Sequence, residues 1–263
     1  MSIMEMTFRS TALGFDTRVL AMLPEPKDLC LESGEPLPVL YLLHGHDDDE
    51  TAWMRKSSVE RHLHYSGYNL LCVMPRMSNF WYTNMQSGHD YFTYVSEELP
   101  EIIGKYFHIS QKREDTFVAG LSMGGYGAFK LAFTHPERYA AAASFSGALD
   151  IASISLDPEN PQSSREALAV FGCPFQELAG TPHDLMRLLD DDLSAGKPLP
   201  RLYQSVGGDD FLLEGNHTFR DFARKRGVPL DYYEQPGIGH EWDFWDSESK
   251  KLIQNWLPIR KVR

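Results

Sequence analysis

Six consecutive residues, Gly120-Leu121-Ser122-Met123-Gly124-Gly125, constrain this chain more than any other feature. They follow the apolar run Thr116-Phe117-Val118-Ala119 and precede Tyr126 to Ala132, a segment suited to a helix. A Gly-x-Ser-x-Gly turn between a strand and a helix is a nucleophile elbow, where the serine sits at a strained turn with its hydroxyl exposed. Glycine suits positions 120 and 124 because backbone crowds such an elbow and a Cβ would clash. The five-residue pattern alone is common; its place between a strand and a helix makes it specific.

Around the elbow, short apolar runs alternate with helix-like segments, which predicts a mostly parallel central sheet flanked by helices on both faces. Residues 4–9 and 17–23 read as an initial antiparallel pair. Val39-Leu40-Tyr41-Leu42-Leu43 is a continuous apolar strand of the kind buried on both faces. Further strands are expected at 70–74, 116–119, 141–145, 202–206 and 230–233, and helices at 50–65, 91–106, 125–134, 218–226 and 247–256. Pro100 is expected to kink or split the second helix. Residues 151–199 carry Pro158, Pro161, Pro174, Pro182 and Pro198 and form the least regular segment. They fall between the sixth and seventh core strands and are too short for an independent domain, so they read as a small cap. The 263 residues suit one α/β domain spanning 1–263.

Acidic residues outnumber basic ones, 37 to 25, for a formal charge of -12. Such a chain repels phosphate backbones and anionic lipid, which argues against nucleic-acid and membrane-surface partners. Cys30, Cys72 and Cys173 are far apart and form no Cys-x-x-Cys pair, so reduced thiols and a cytoplasmic location are expected. The N-terminal MSIMEMTFRS contains Glu5 and no apolar core, unlike a signal peptide, and no apolar stretch reaches membrane-spanning length. A homo-oligomer is compatible with the sequence.

A serine hydroxyl needs a base to take its proton during attack, so the elbow calls for a histidine and an orienting carboxylate downstream. The expected chain order is serine, acid, histidine. After the strand at 202–206 comes Gly207-Gly208-Asp209-Asp210-Phe211-Leu212. After the strand at 230–233 comes Gly237-Ile238-Gly239-His240-Glu241-Trp242. Ligands bind beyond strand ends in open α/β sheets, which favours both loops. Ser122 is then the nucleophile and His240 the base, with Asp209 or Asp210 as the acid; the residues alone do not choose between the two. His62, His64, His89, His108, His135, His183 and His217 have no comparable context.

The oxyanion of a tetrahedral intermediate needs two backbone N–H donors. Met123, after the nucleophile, supplies one; His46, in the loop His44-Gly45-His46 after the third strand, supplies the other. The acidic run Asp47-Asp48-Asp49-Glu50 beside these histidines reads as helix-capping and first-turn acids, and no metal is assigned. Among the aromatic residues near these loops, Trp53, Trp81, Tyr82 and Trp242 are candidates for the substrate wall, whereas Phe92 and Phe244 read as core.

Leu42-Leu43-His44-Gly45, Ser78-Asn79-Phe80-Trp81-Tyr82-Thr83, Gly120 to Gly127, Ser144 to Leu149, Asp210-Phe211-Leu212 and His240-Glu241-Trp242 together resemble the bacterial tributyrin esterases of the esterase D-like α/β-hydrolase group. The wider group includes S-formylglutathione hydrolases, feruloyl and acetyl-xylan esterases, and mycolyltransferases. The resemblance covers residues 4 to 257 and implies an α/β-hydrolase fold and cofactor-free hydrolysis of short-chain acyl esters, with acetyl or feruloyl esters of plant saccharides among the candidates. It implies an acid directly before the Phe-Leu pair, which selects Asp210. It also implies backbone oxyanion donors at His46 and Met123. The chain departs from the pattern at His46 and the acids after it, and it lacks the cysteine-bearing oxyanion loop typical of S-formylglutathione hydrolases. Thioester hydrolysis and acyl transfer are the catalytic alternatives; a non-catalytic hydrolase-fold binding protein is the alternative outside catalysis.

Overall fold

The computed structural model describes residues 1–25, 34–154 and 161–259. Cys30 and Pro158 lie outside them. Eight strands form one sheet: β1 Ser2–Arg9, β2 Asp16–Leu23, β3 Val39–Leu43, β4 Leu71–Pro75, β5 Thr116–Leu121, β6 Ala141–Phe145, β7 Arg201–Gly207 and β8 Leu230–Gln235. Their spatial order is β1-β2-β4-β3-β5-β6-β7-β8. The β1–β2 and β2–β4 pairs are antiparallel and every later pair is parallel. With helices on both faces, this is the α/β-hydrolase fold.

The continuous apolar strands feed two cores because successive side chains point to opposite faces. Val39, Tyr41 and Leu43 join Val118, Phe129 and Leu99 on one face. Leu40 and Leu42 join Phe117, Trp53, Phe244 and Ile253 on the other. β5 therefore ends in the middle of the sheet between two packed layers, and the elbow follows at its C-terminal end.

The helix Met123–Thr134 leaves that end with eleven residues, Met123 to Phe133, buried. A Cβ on Gly120 would lie 2.3 Å from the Gly124 carbonyl oxygen, and one on Gly124 would lie 2.5 Å from the His44 carbonyl oxygen. Both contacts are with backbone, which cannot swing aside, so the helix can approach β5 and the loop after β3 only through glycine.

This helix also buries Lys130, which is 5% exposed. Its ammonium meets the Thr83 hydroxyl and lies 3.4 Å from His183 Nδ1, with the rings of Phe92 and Tyr126 5.3 and 5.4 Å away. Burial pushes its pKa down to about 7. Between that value and the ordinary lysine value of about 10.4, the unfolded chain holds a proton that the folded chain has released. Stability from this site therefore rises with pH across that window, and the penalty is complete below it. Lys130→Met should raise unfolding stability by about 3 kcal/mol at neutral pH, with the gain shrinking toward pH 10. Denaturant melts of both proteins at the two pH values check this; equal gains at both would refute it.

Local chemistry explains where the helices depart from expectation. The segment at 50–65 divides into Ala52–Lys56 and Val59–His64. There the Ser57 hydroxyl bonds the Trp53 carbonyl and the Ser58 N–H donates to Asp246 at 2.7 Å, competing with the helical ladder. Near Pro100 the chain forms a π-turn, Tyr94–Glu98, followed by the helix Leu99–Tyr106. Proline cannot donate to the Ser96 carbonyl, and Arg138 does so instead, at 2.6 Å. The segment at 151–199 is more regular than its prolines suggest, with helices Pro161–Phe171 and Leu185–Ser194. Asp184 caps the second by accepting from the Met186 N–H at 2.9 Å, and Leu185 and Leu189 are buried. Among the described residues, no helix is long and apolar enough to cross a membrane.

Candidate active site

Ser122 has φ 53° and ψ −120°, a left-handed conformation costly for a residue with a Cβ. Its N–H donates to the Phe145 carbonyl at 2.9 Å, and its own carbonyl accepts from Gly125 at 3.0 Å and Tyr126 at 3.2 Å. These bonds hold the strained turn so that the side chain leaves the strand end.

His240 Nε2 lies 3.0 Å from Ser122 Oγ, and His240 Nδ1 lies 2.9 and 3.0 Å from the two oxygens of Asp210. The structure thus brings together one side chain from each of three loops, after β5, β7 and β8. Asp209 is exposed and its N–H donates to Ile238 at 3.0 Å, whereas the Asp210 side chain is fully enclosed. Burial opposes the charge on Asp210. Hydrogen bonds from His240 and, at 2.8 Å, from the Leu212 N–H outweigh it and hold the carboxyl below its ordinary range. The His240 ring is gripped by Phe211 at 4.5 Å and Trp245 at 4.8 Å between centroids.

A cavity of about 570 Å³ opens over Ser122, large enough for a small organic ligand. Gly45, His46, Met123 and His240 line it, as do Trp81, Phe175, Glu166 and Trp242. Met123 opens its helix, so its N–H has no acceptor within the helix and is free to meet a ligand. The loop carrying His46 is fixed on both sides. The Tyr82 hydroxyl donates to the His44 carbonyl at 2.8 Å, and Asn79 both accepts from the Asp47 N–H and donates to the Asp47 carboxylate, each at 2.8 Å.

His44 is buried, and burial lowers its pKa. Nδ1 is 2.7 Å from the Gly45 carbonyl and Nε2 accepts from the Met77 N–H at 3.0 Å, so the ring is neutral and both nitrogens are engaged. His46 is partly exposed at the rim of the cavity, with Nε2 2.9 Å from Glu166 and Nδ1 3.1 Å from Asp47. Among the described residues, no group of three or more His, Cys, Asp or Glu could hold a metal.

The four candidate wall aromatics divide. Trp81 and Trp242 line the cavity; Trp53 and Tyr82 do not, and this corrects the sequence reading. Trp53 is 1% exposed, donates from Nε1 to the Leu43 carbonyl at 3.0 Å, and supports Trp242 edge-on at 5.2 Å. Tyr82 is fully buried, committed to the His44 carbonyl. Trp81 and Tyr82 both have positive φ, 52° and 49°, and this backbone turn gives the two neighbours different destinations. The cavity also uses Phe175 and Glu166, from the segment expected to form a small cap, although nothing in the sequence singles out these two residues. Trp81 packs on Phe175 at 5.0 Å and donates from Nε1 to Glu166 at 2.8 Å. A Phe or Glu in a proline-rich stretch carries no signal of such a contact.

Comparisons with known proteins bear on the family and the fold. The model of the family described as "Putative esterase" matches residues 10–249. The chain is 34% identical to an acetyl esterase of Caldicellulosiruptor saccharolyticus, over 94% of both chains. It superposes with a TM-score of 0.86 on a fluorophosphonate-binding serine hydrolase of Staphylococcus aureus, 30% identical, covering 98% of this chain and 99% of that one. An S-formylglutathione hydrolase of the same organism matches at 0.83 and 31% identity, covering 97% and 98%.

Proposed function

Because the chain belongs to this esterase family and is thereby a carboxylic ester hydrolase, we propose that Ser122, His240 and Asp210 form a catalytic triad acting on short-chain acyl esters. The hydrogen-bonded relay from Ser122 Oγ through His240 to Asp210, at the floor of the cavity, carries this reading.

In the proposed reaction, Ser122 Oγ attacks the ester carbonyl carbon while His240 Nε2 takes the hydroxyl proton. The carbonyl π electrons move to oxygen, and the backbone N–H groups of Met123 and His46 receive that oxyanion. Collapse breaks the bond to the alcohol oxygen, which leaves with the proton from His240. Water then attacks the acyl-enzyme by the same route, returning free Ser122 and a carboxylic acid. Asp210 accepts from Nδ1–H throughout, keeping the Nε2 lone pair toward the serine and stabilising the imidazolium. The cavity walls from Trp81, Phe175 and Trp242 suit a small acyl or alcohol group, and the acetyl esterase relative supports acetate as the acyl part. A small-molecule ester is the partner; free Cys72 and Cys173 suit a reducing, cytoplasmic setting.

A fluorophosphonate probe should label Ser122, located by mass spectrometry of the tryptic peptide, and should block turnover of p-nitrophenyl acetate in proportion. Labelling elsewhere, or none, would sink the triad reading. The S-formylglutathione hydrolase relative favours one second reading, hydrolysis of thioesters. Comparing kcat/KM for matched oxygen and thiol esters separates the two.

A further inference from the structure

Glu166 reaches the cavity from the helix Pro161–Phe171. Its side chain is 14% exposed. One carboxylate oxygen accepts from Trp81 Nε1 at 2.8 Å and faces His46 Nε2 at 2.9 Å; the other faces the same nitrogen at 3.0 Å. A single carboxylate therefore bridges the cap helix, the aromatic wall and the loop of the proposed second oxyanion donor. The backbone around His46 is already held by Tyr82 at residue 44 and by Asn79 at residue 47. The Glu166 bond adds a hold on residue 46 itself.

The placement has an electrostatic cost. A bare carboxylate lining the cavity would oppose the negative charge that develops on the substrate oxygen. Both nitrogens of the His46 ring face carboxylate oxygens, Nε2 at Glu166 and Nδ1 3.1 Å from Asp47, an arrangement that favours the protonated ring and its opposing charge. Burial would lower its pKa, but the hydrogen bond and charge of Glu166, then Asp47, outweigh burial and raise it. Asp48 and Lys56 at the same cavity are paired with each other at 2.7 Å.

We propose that Glu166 is a positioning residue for ester hydrolysis: it straps the cap helix to the loop that presents the His46 N–H, and the His46 side chain neutralises it beside the forming oxyanion. This rests on the triad reading above. Nothing in the strap touches the reacting atoms through Glu166 itself; it acts through His46 and Trp81.

Kinetics on p-nitrophenyl acetate, expressed per fluorophosphonate-labelled site, test the strap, because misfolded enzyme is then not counted. Glu166→Ala should lower kcat per labelled site about tenfold with KM changed less than about twofold. Glu166→Gln, which keeps an acceptor for Trp81, should lose less. His46→Asn keeps the backbone donor but bares the carboxylate, and should lose about 100-fold. Adding Glu166→Gln to His46→Asn should recover about tenfold of that, a coupling that a purely structural role would not produce. Unchanged kcat per labelled site in Glu166→Ala, or a double variant no faster than His46→Asn, would overturn the proposal. Failure of the wild type to label at Ser122 would instead remove the triad reading on which it stands.

Discussion

Ser122→Ala should lower kcat for p-nitrophenyl acetate by about 10⁵-fold or more, leaving KM near its wild-type value. The expectation follows from geometry. Ser122 Oγ is the atom 3.0 Å from His240 Nε2, and its strained backbone aims it into the cavity. Alanine would remove the proposed nucleophile and leave the proposed donors at Met123 and His46 in place, so substrate should still bind and some transition-state stabilisation should persist. A residual rate of about 10³-fold over uncatalysed hydrolysis is therefore compatible with the reading. Loss of the Oγ also removes little packing, so the variant should melt like the wild type. Activity within tenfold of wild type, measured with active enzyme rigorously excluded, would refute the assignment.

Asp210→Asn should lower kcat by about 10⁴-fold, and Asp209→Asn by less than about twofold. Asp210 accepts from Nδ1–H of His240, which leaves Nε2 as the acceptor facing the serine. An asparagine amide turned toward Nδ1 donates instead, forces the proton to Nε2 and removes the base. In the proposed mechanism the fully enclosed carboxylate also stabilises the imidazolium formed during attack, and asparagine carries no charge to do so. Asp209 is exposed and contributes its backbone, so its side-chain charge is screened by water. Equal losses for the two variants, at equal folded concentration, would overturn the choice of acid.

How much of this was legible in the sequence depended on what each residue's role requires. Strands such as Val39–Leu43 and Thr116–Leu121 announce themselves because they are buried on both faces and must be apolar throughout. The three side chains that meet at the site could be read from chain order, because each follows a strand at the same end of the sheet. The choice between Asp209 and Asp210 could not, since both lie past β7 and only the turn decides which points inward. The aromatic wall was half legible. Position near a strand end places Trp53 and Tyr82 close to the site, but not on the cavity side of the backbone. The helices Pro161–Phe171 and Leu185–Ser194 were hidden by surrounding prolines, and with them the contact between Glu166 and His46. That contact spans 120 residues of sequence and has no local signature.

The helix behind Ser122, with Met123 to Phe133 enclosed, has a consequence for how such a chain can diversify. Its apolar side chains, Met123, Tyr126, Phe129 and Phe133 among them, pack into one core against the sheet, so a substitution there disturbs the turn that holds Ser122. Residues 151–154 and 161–199 meet the cavity through Ile154, Glu166 and Phe175; Phe175 is buried in the same core as the helix, whereas Glu166 stands outside it. A change of side chain at Glu166 should therefore alter the edge of the site and leave the manner of attack unaltered.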